Sequence, residues 1–299
     1  MSRENKNFTE GLLIKGYNGF YYVAAEGILW TCSLRGRFRI KKQDFLPGDR
    51  VEFTKLDEEK GVIENVLPRT NRLVRPAVAN VQTALITFAF TNPEPDLLLL
   101  DRILIQVLRE QIMPVICFNK NDLLSPADGE RIMKPYRDAG FTVLSVSANE
   151  GRGIEALKKE LAGKISIFAG PSGVGKSSLI NSLGLGYDLE TGCLSKKTDR
   201  GRHTTRRVEL LSLGDGAYIA DTPGFSSLDL PAEVKKEDLP AFYPEFHEAA
   251  AYCPFKGCLH FRERVCEVRS DVEDGVIDKG RYERYCVFLE ECKEKERKY

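Results

Sequence analysis

Long apolar runs, net charge and internal repeats are all missing from this sequence. No stretch approaches the roughly 18 consecutive apolar residues that a membrane-spanning helix needs, and the opening segment MSRENKN does not lead into the apolar core of a signal peptide. The 44 basic residues are balanced by 44 acidic ones. The lack of a membrane-spanning run and of a signal peptide argues against a membrane partner and, together with the cysteine usage described below, predicts a cytoplasmic protein. The length of 299 residues indicates two or three domains.

The balanced total conceals an uneven distribution of charge. Residues 1–75 contain 14 basic and 10 acidic side chains, whereas residues 232–299 contain 13 basic and 16 acidic ones. A basic N-terminal region is a plausible face for nucleic acid.

A phosphate-binding loop is the first chemical motif. The sequence GPSGVGKS fits the pattern GxxxxGK(S/T), follows the apolar run of residues 164–169 and precedes a helix-like segment. Glycines let backbone N–H groups converge on phosphates, Lys176 can reach the β- and γ-phosphates, and Ser177 can bind Mg²⁺. The alternative is a glycine-rich turn that arose by chance. The predicted loop residues are Gly170, Pro171, Ser172, Gly173, Val174, Gly175, Lys176, Ser177 and Ser178.

A guanine-reading motif occurs earlier in the chain. Asn119, Lys120 and Asp122 form an NKxD sequence after the apolar run of residues 113–118, and Ser147-Ala148 follows the next such run. Asp122 can accept hydrogen bonds from the ring N–H and the amine of guanine, which adenine does not offer in that place. The stem of Lys120 can lie over the base. Alone, the tetrapeptide could be an ordinary polar turn, but its spacing from Ser147-Ala148 favours base recognition.

The fourth motif is DTPG, at residues 221–224, after the strand-like residues 217–220. Asp221 is expected to hold Mg²⁺ through water, and the Gly224 amide to sense the γ-phosphate; a β-turn is the alternative, and both can hold together. All four motifs follow apolar strands, where open α/β sheets bind ligands. Their order is permuted, because an ordinary small GTPase begins with the phosphate loop. Since every motif is nevertheless present, the chain is predicted to bind GTP and to hydrolyse it to GDP.

The catalytic group that orients water is harder to assign. Phe225 stands where many GTPases have a glutamine after DxxG, and phenylalanine cannot polarise water. The segment between the phosphate loop and DxxG corresponds to switch I and contains His203, Thr204 and Thr205. Either threonine could bind Mg²⁺ and the γ-phosphate. His203 could position the water, or could be a polar residue in a basic loop.

A metal site is predicted from Cys253, Cys258, His260 and Cys266, with the spacing C-x4-C-x-H-x5-C. Three thiolates and one imidazole complete a tetrahedral zinc site, which is therefore structural rather than catalytic. The alternative is three reduced core cysteines and a surface histidine. Cysteines outside this set, including Cys286 and Cys292, are interpreted as scattered or packing residues, which together with zinc suggests a reducing compartment.

The N-terminal region predicts about five short strands, as in a small barrel such as an OB-fold. Four basic residues then recur at every second position: Arg35, Arg37, Arg39 and Lys41. On a strand they would share one face, with Phe38 and Ile40 on the other. This basic stripe is predicted to bind RNA; a solvated β-surface is the alternative.

The remaining sequence suggests three domains, at residues 1–69, 70–231 and 232–299. Residues 69–80 are interpreted as a linker, because Pro68 and Pro76 mark that segment. Residues 97–109 and 127–139 look helical between strand-like runs, which favours an α/β GTPase domain. Residues 281–299 are interpreted as a solvated, charged surface helix.

Taken together, the permuted motifs, GRHTT, DTPGF and the Cys/His cluster resemble the RsgA (YjeQ/YloQ) family of ribosome small-subunit-dependent GTPases. The resemblance covers nearly the whole chain. It implies an N-terminal OB-fold, a circularly permuted P-loop GTPase domain and a C-terminal helical zinc domain. It also implies a role in late small-subunit assembly, with rRNA as a partner and GTP hydrolysis stimulated by the subunit. A monomer is expected.

Two other functions stay open at this point. A translation or RNA-modification GTPase is disfavoured by the permutation and the C-terminal metal motif. A non-catalytic RNA-binding adaptor is disfavoured because Lys176, Ser177, Asp221 and Asp122 are all intact.

Overall fold

The chain forms two compact units in the structure, a computed structural model. It describes residues 8–36, 38, 44–57, 59–74, 76–184, 208–220, 229–231 and 233–297. Unit 1 comprises Met1–Thr83, Leu161–Phe168 and Leu183–Gly224, and unit 2 comprises Ala84–Glu160, Ala169–Ser182 and Phe225–Tyr299. In the described ranges, no helix combines the length and the apolarity that crossing a bilayer requires.

Unit 1 contains a closed barrel of five strands, as the sequence predicts. The strands are β1 (Thr9–Tyr17), β2 (Phe20–Ala25), β3 (Ile28–Leu34), β4 (Arg50–Asp57) and β5 (Lys60–Val66), in the order β1-β2-β3-β5-β4. Asn18-Gly19 and Glu26-Gly27 have positive φ, as two-residue hairpin turns require. Inside the barrel, Trp30 packs on Phe53 with ring centroids 5.5 Å apart.

The described beginning of the basic stripe, at Arg35, does not lie on a strand. β3 ends at Leu34, and Gly36 and Phe38 have helical backbone, with the Phe38 N–H donating to the Arg35 carbonyl at 3.0 Å. The expected strand through Arg35 is therefore wrong. Phe38 does turn inward, because its ring lies edge-on to Phe45 in the barrel core. The helical backbone at Gly36 and Phe38 lacks the two-residue period of a strand, and the prediction of a one-sided basic stripe depends on that period.

The described residues of the predicted linker include two short antiparallel strands within unit 1. Its strands are β6 (Arg72–Leu73) and β7 (Val78–Ala79). The Arg69 guanidinium donates to both carboxylate oxygens of the fully buried Asp49, at 2.6 and 2.9 Å. A Cβ on Gly48 would lie 2.0 Å from the Ala79 carbonyl oxygen, so this close approach requires glycine.

Unit 1 also contains three strands that follow the barrel. They are most of β11 (Ile165–Ala169), β12 (Leu210–Gly214) and β13 (Ala217–Ala220). β11 pairs in parallel with β13, and β12 pairs with β13 in antiparallel fashion. β13 has the bounds that its apolar run predicts, and it leads towards Asp221.

Unit 2 begins with alternating strands and helices, which confirms the α/β prediction. The strands are β8 (Thr83–Ala89), β9 (Met113–Asn119) and β10 (Thr142–Ser145), in the order β10-β9-β8. The helices are α1 (Leu97–Arg109), α2 (Pro126–Asp138), α3 (Ile154–Leu161) and α4 (Lys176–Ser182). Asp96 and Ser125 accept backbone N–H bonds at the starts of α1 and α2, which fixes where these helices begin.

The C-terminal part of unit 2 is helical. Its helices are α5 (His247–Ala250), α6 (Glu267–Glu273) and α7 (Lys279–Arg297), preceded by 3-10 turns at Leu239–Phe242 and Pro244–Phe246. The interpretation of the terminal helix as a solvated surface helix is wrong. α7 buries Arg281, Tyr285, Phe288, Leu289 and Cys292, because its apolar side chains pack on Tyr243 and Phe246.

Candidate nucleotide site and metal-binding cluster

The phosphate loop connects β11 to α4. Gly170 has φ +121°, and a Cβ there would lie 2.1 Å from the Thr87 carbonyl oxygen. The Lys176 ammonium group donates to the Gly170 carbonyl at 2.8 Å and also to that of Pro171. Burial lowers the pKa of Lys176. The cation is thus held inside the loop, where an anionic ligand would favour its charged form.

Asn119 joins three of the sequence motifs. Its side chain is buried, its Nδ2 donates to the Val174 carbonyl at 2.9 Å, and its Oδ1 accepts the Ala148 N–H at 3.1 Å. The phosphate loop, NKxD and Ser147-Ala148 therefore meet at one side chain, as the sequence predicts.

Lys120 makes a second connection to the phosphate loop. Its backbone is left-handed, with φ +65°, and its ammonium group donates to the Gly173 carbonyl at 3.0 Å and to that of Asn92. Lys120 also lines the adjoining cavity.

The cavity beside these residues has a volume of about 340 Å³. It is lined by Asn119, Lys120, Asp122, Leu123, Ala148, Asn149, Gly175 and Ser178. The Oδ1 atom of Asp122 is buried and has no hydrogen-bond partner among the described residues. A buried, unpaired acceptor is costly, so this atom is suited to a ligand that brings its own donor.

Cys253, Cys258, His260 and Cys266 form a cluster that could hold a metal ion, and their ligand atoms all lie within 4.8 Å of one another. The Sγ atoms of Cys253 and Cys266 are 3.9 Å apart, and His260 Nδ1 lies 3.6 and 3.4 Å from them. Burial raises the pKa of Cys266 to about 12 and lowers that of His260, so without a cation both groups favour their neutral forms. The described cysteines form no disulfide.

Residues outside the motif hold this cluster in shape. The carboxylate of Glu263 accepts N–H bonds from Leu259 at 2.9 Å and Phe261 at 2.7 Å, on either side of His260. Burial alone would raise the pKa of Glu263, but these backbone donors keep it below its ordinary value. The Tyr282 hydroxyl of α7 donates to the His260 carbonyl at 2.8 Å. Sequence reasoning missed both residues, because only the folded loop brings them to the ligands.

A buried charged network was also missed. Arg281 of α7 is 1% exposed and donates to Asp101 of α1 at 2.6 Å and to Glu245 at 2.7 Å. Burial by itself would lower the pKa of Arg281, but the two carboxylates more than offset this and raise it. Arg284 donates to the second Asp101 oxygen at 2.5 Å. The network ties the C-terminal helix to a helix between two strands of the nucleotide site.

Several predicted site residues lie outside the described part of the chain. They are His203, Thr204, Thr205, Asp221, Gly224, Arg37, Arg39 and Lys41. Arg35 is described, and its guanidinium donates to Glu64 at 2.6 Å. Cys292 is buried, as expected of a packing residue.

Two family models match the chain. The one described as RsgA N-terminal domain matches residues 10–63, and the one described as RsgA GTPase matches residues 66–231. The chain is 50% identical over 290 residues to the small ribosomal subunit biogenesis GTPase RsgA of Moorella thermoacetica, covering 97% of this chain and 99% of that one. It is 45% identical over 291 residues to the protein of that name from Caldanaerobacter subterraneus, covering 97% of each chain.

Two solved structures are similar over nearly the whole chain. YloQ, described as a circularly permuted GTPase, has a TM-score of 0.82 and 34% identity, covering 98% of each chain. YjeQ from Thermotoga maritima has a TM-score of 0.81 and 35% identity, covering 95% of this chain and 98% of that one. The predicted fold class is confirmed: an N-terminal barrel, a circularly permuted GTPase fold and a C-terminal region with a potential metal cluster.

Proposed function

Because the chain belongs to the RsgA family of circularly permuted GTPases, we propose that it hydrolyses GTP in late maturation of the small ribosomal subunit, which stimulates the hydrolysis. The observation that carries the nucleotide specificity is the buried, unpaired Oδ1 of Asp122 at the base-sized cavity. The proposal includes a cytoplasmic location, rRNA as the bound partner and a monomeric state, which light scattering tests.

The proposed domains are residues 1–69, 70–231 and 232–299. The limits of the two family models support the first two. The two compact units divide the chain differently: unit 2 contains both the base-reading residues and the C-terminal helices, and Arg281 of α7 pairs there with Asp101 of α1. The three functional segments therefore need not be three independently folding bodies.

The site suggests how the phosphates are handled. Lys176 already points into the loop and would donate to β- and γ-phosphate oxygens. Ser177 follows it at the start of α4, and its hydroxyl would hold Mg²⁺ together with Asp221 and Thr204 or Thr205. The ion would neutralise charge that develops on the phosphates. Gly224 would sense the γ-phosphate, and His203 would position the attacking water.

Exchanging Asp122 for Asn should change the preferred base. Asp122 accepts from guanine, whereas an amide can donate to the 2-oxo group of xanthine. We expect GDP affinity to fall about 10- to 100-fold, the range expected for a hydrogen bond to a charged group. Affinity for xanthosine diphosphate should rise. Titration of both nucleotides against the parent protein measures this.

The control is Asp274→Asn, the same chemical change at an exposed position on the C-terminal region. It should leave both affinities unaltered. Equal affinity of the parent protein for GDP and ADP would refute guanine recognition itself.

GTP turnover with and without purified small subunits tests the rest of the proposal. His203→Ala should keep GTP and subunit binding and lose most of the stimulated rate, mainly in kcat. Full stimulation of this variant would place catalysis elsewhere.

Replacing Arg35, Arg37, Arg39 and Lys41 by Ala should instead weaken subunit binding and flatten its salt dependence, because fewer phosphate counterions are released. An unchanged salt dependence of subunit binding would show that the basic stripe is not part of the interface.

The metal in the Cys/His cluster is proposed to be structural zinc. Zinc–sulfur bonds of about 2.3 Å around a tetrahedral ion put sulfurs about 3.8 Å apart, and zinc–nitrogen bonds of about 2.0 Å put nitrogen about 3.5 Å from sulfur. The separations of 3.9 Å between the Cys253 and Cys266 Sγ atoms and of 3.4 and 3.6 Å from these atoms to His260 Nδ1 fit these values.

Removing the metal should loosen the C-terminal region selectively. Structural zinc contributes its binding energy to folding, so chelation should raise hydrogen exchange in residues 253–266 by about tenfold or more. Cys258→Ser should lose zinc, whereas Cys286→Ser, at a half-buried cysteine outside the cluster, should retain it. Barrel exchange should not change. Metal analysis that finds no zinc in the parent protein would contradict the assignment.

A further inference from the structure

The turn that holds Asp122 is short and weakly closed by its own backbone. Asp122 is the middle residue of a 3-10 turn, Asn121–Leu123, which is entered through the left-handed Lys120. One bond closes it, from the Leu123 N–H to the Lys120 carbonyl at 3.1 Å. A single 3-10 turn has poor hydrogen-bond geometry and little stability of its own. Its position must therefore be fixed by contacts with another element.

Asn121 provides these contacts at the end of β10. Its backbone N–H donates to the Val146 carbonyl at 3.1 Å, and its side-chain Nδ2 donates to the Ser145 hydroxyl at 3.1 Å. Ser145 and Val146 directly precede Ser147-Ala148, the other base-contacting segment. Any residue except proline could make the first bond. The second depends on the side chain at position 121.

The energetics of this amide do not favour a role in stability. Its other polar atom, Oδ1, is buried and accepts no hydrogen bond from the described residues. Leaving a buried acceptor unpaired generally costs more than one neutral hydrogen bond contributes. An alanine at this position would avoid that cost. The benefit of the Asn121 amide is therefore expected in the position that it gives to the neighbouring Asp122 carboxylate.

We propose that Asn121 is a positioning residue for guanine recognition, acting through Ser145 to fix the carboxylate of Asp122. This inference rests on the proposed function. A carboxylate that moves by a fraction of an ångström loses alignment with the two guanine donors. Bonds to the phosphates, made by Lys176 and the loop amides, would not be affected. The loss should appear in base discrimination rather than in general nucleotide affinity.

The comparison of GDP with inosine diphosphate measures this discrimination. Hypoxanthine keeps the ring N–H of guanine but lacks the exocyclic amine, so the ratio of the two affinities reports the second bond to Asp122. We expect Asn121→Ala and Ser145→Ala each to reduce the preference for GDP by about 3- to 10-fold, the range for one neutral hydrogen bond. The double variant should lose no more than either single variant, because both remove the same bond.

Ser145→Thr serves as the conservative variant, since it keeps the hydroxyl and suits a strand. It should retain the GDP preference. The thermal unfolding midpoint separates positioning from support of the fold: Asn121→Ala should leave it unchanged or higher while discrimination falls. Unchanged discrimination in Asn121→Ala, or additive losses in the double variant, would overturn the inference. A parent protein that does not prefer GDP to ADP would instead overturn the proposed function, and the inference with it.

Discussion

Replacing Arg281 by Met should lower the free energy of unfolding of unit 2 by about 3 to 5 kcal/mol. Arg281 is 1% exposed and makes charged hydrogen bonds to Asp101 and Glu245. Methionine fills a similar volume but cannot donate hydrogen bonds, so the buried carboxylates of Asp101 and Glu245 lose the positive charge and the donors that Arg281 supplies. Arg284 still pairs with Asp101, whereas among the described residues no other hydrogen-bond donor to the Glu245 carboxylate replaces the lost guanidinium. The rings of Tyr136 and Tyr243, each 5.0 Å from the guanidinium carbon, lose a cation–π contact as well.

Hydrogen exchange of α1 and α7 under mild denaturant measures this effect, because both helices contribute to the network. The single tryptophan, Trp30, lies in the barrel core of unit 1 and reports whether that core is affected. The matched control is Arg262→Met, at a guanidinium whose side chain is 81% exposed and 3.8 Å from Glu290. Solvent screens that pair, so the control should hardly change exchange. Equal protection in both variants would show that the buried network contributes nothing to stability.

The nucleotide motifs could be predicted from the sequence because their chemistry is local. The phosphate loop needs glycines and a lysine at fixed spacing, and the metal cluster needs four ligands within a short segment. Each such group is recognisable without knowing what packs against it. The structure brings Asn119, Asp122, Ala148 and Gly175 around one cavity, as those spacings indicate.

Other features depend on partners far away in the chain. Arg281 and Asp101 are 180 residues apart, so neither charge identifies the other in the sequence. The terminal helix looks uniformly polar in the sequence for the same reason. Its buried arginine cannot be told from a surface arginine unless the carboxylates that it contacts are known. Alternation predicts a strand from Arg35 onward, but Gly36 and Phe38 have helical backbone, and the Phe38 ring lies in the barrel core. Tertiary packing overrides local pattern in each case.

Replacing Gly175 by Ala should weaken GDP binding by about 100- to 1,000-fold. A Cβ at this position would lie 2.3 Å from Asn119 Nδ2, closer than real contacts allow. That amide is not free to move, because Asn119 is buried and bonded to both the Val174 carbonyl and the Ala148 N–H. Moving it would break two bonds worth about 1 kcal/mol each, and the φ of +93° adds about 1 to 2 kcal/mol of strain for alanine. Both penalties fall on the segments that surround the nucleotide.

Gly184 provides a matched control for the backbone strain. It also has φ +93°, but a Cβ there would meet nothing within 4 Å. Gly184→Ala therefore incurs the same conformational cost without the collision. If the contact with Asn119 is what matters, Gly184→Ala should retain GDP affinity within a few-fold while Gly175→Ala loses it, in parallel titrations with thermal unfolding as a check on folding. Equal losses in the two variants would mean that backbone strain alone, and not the junction of the three motifs at Asn119, governs the site.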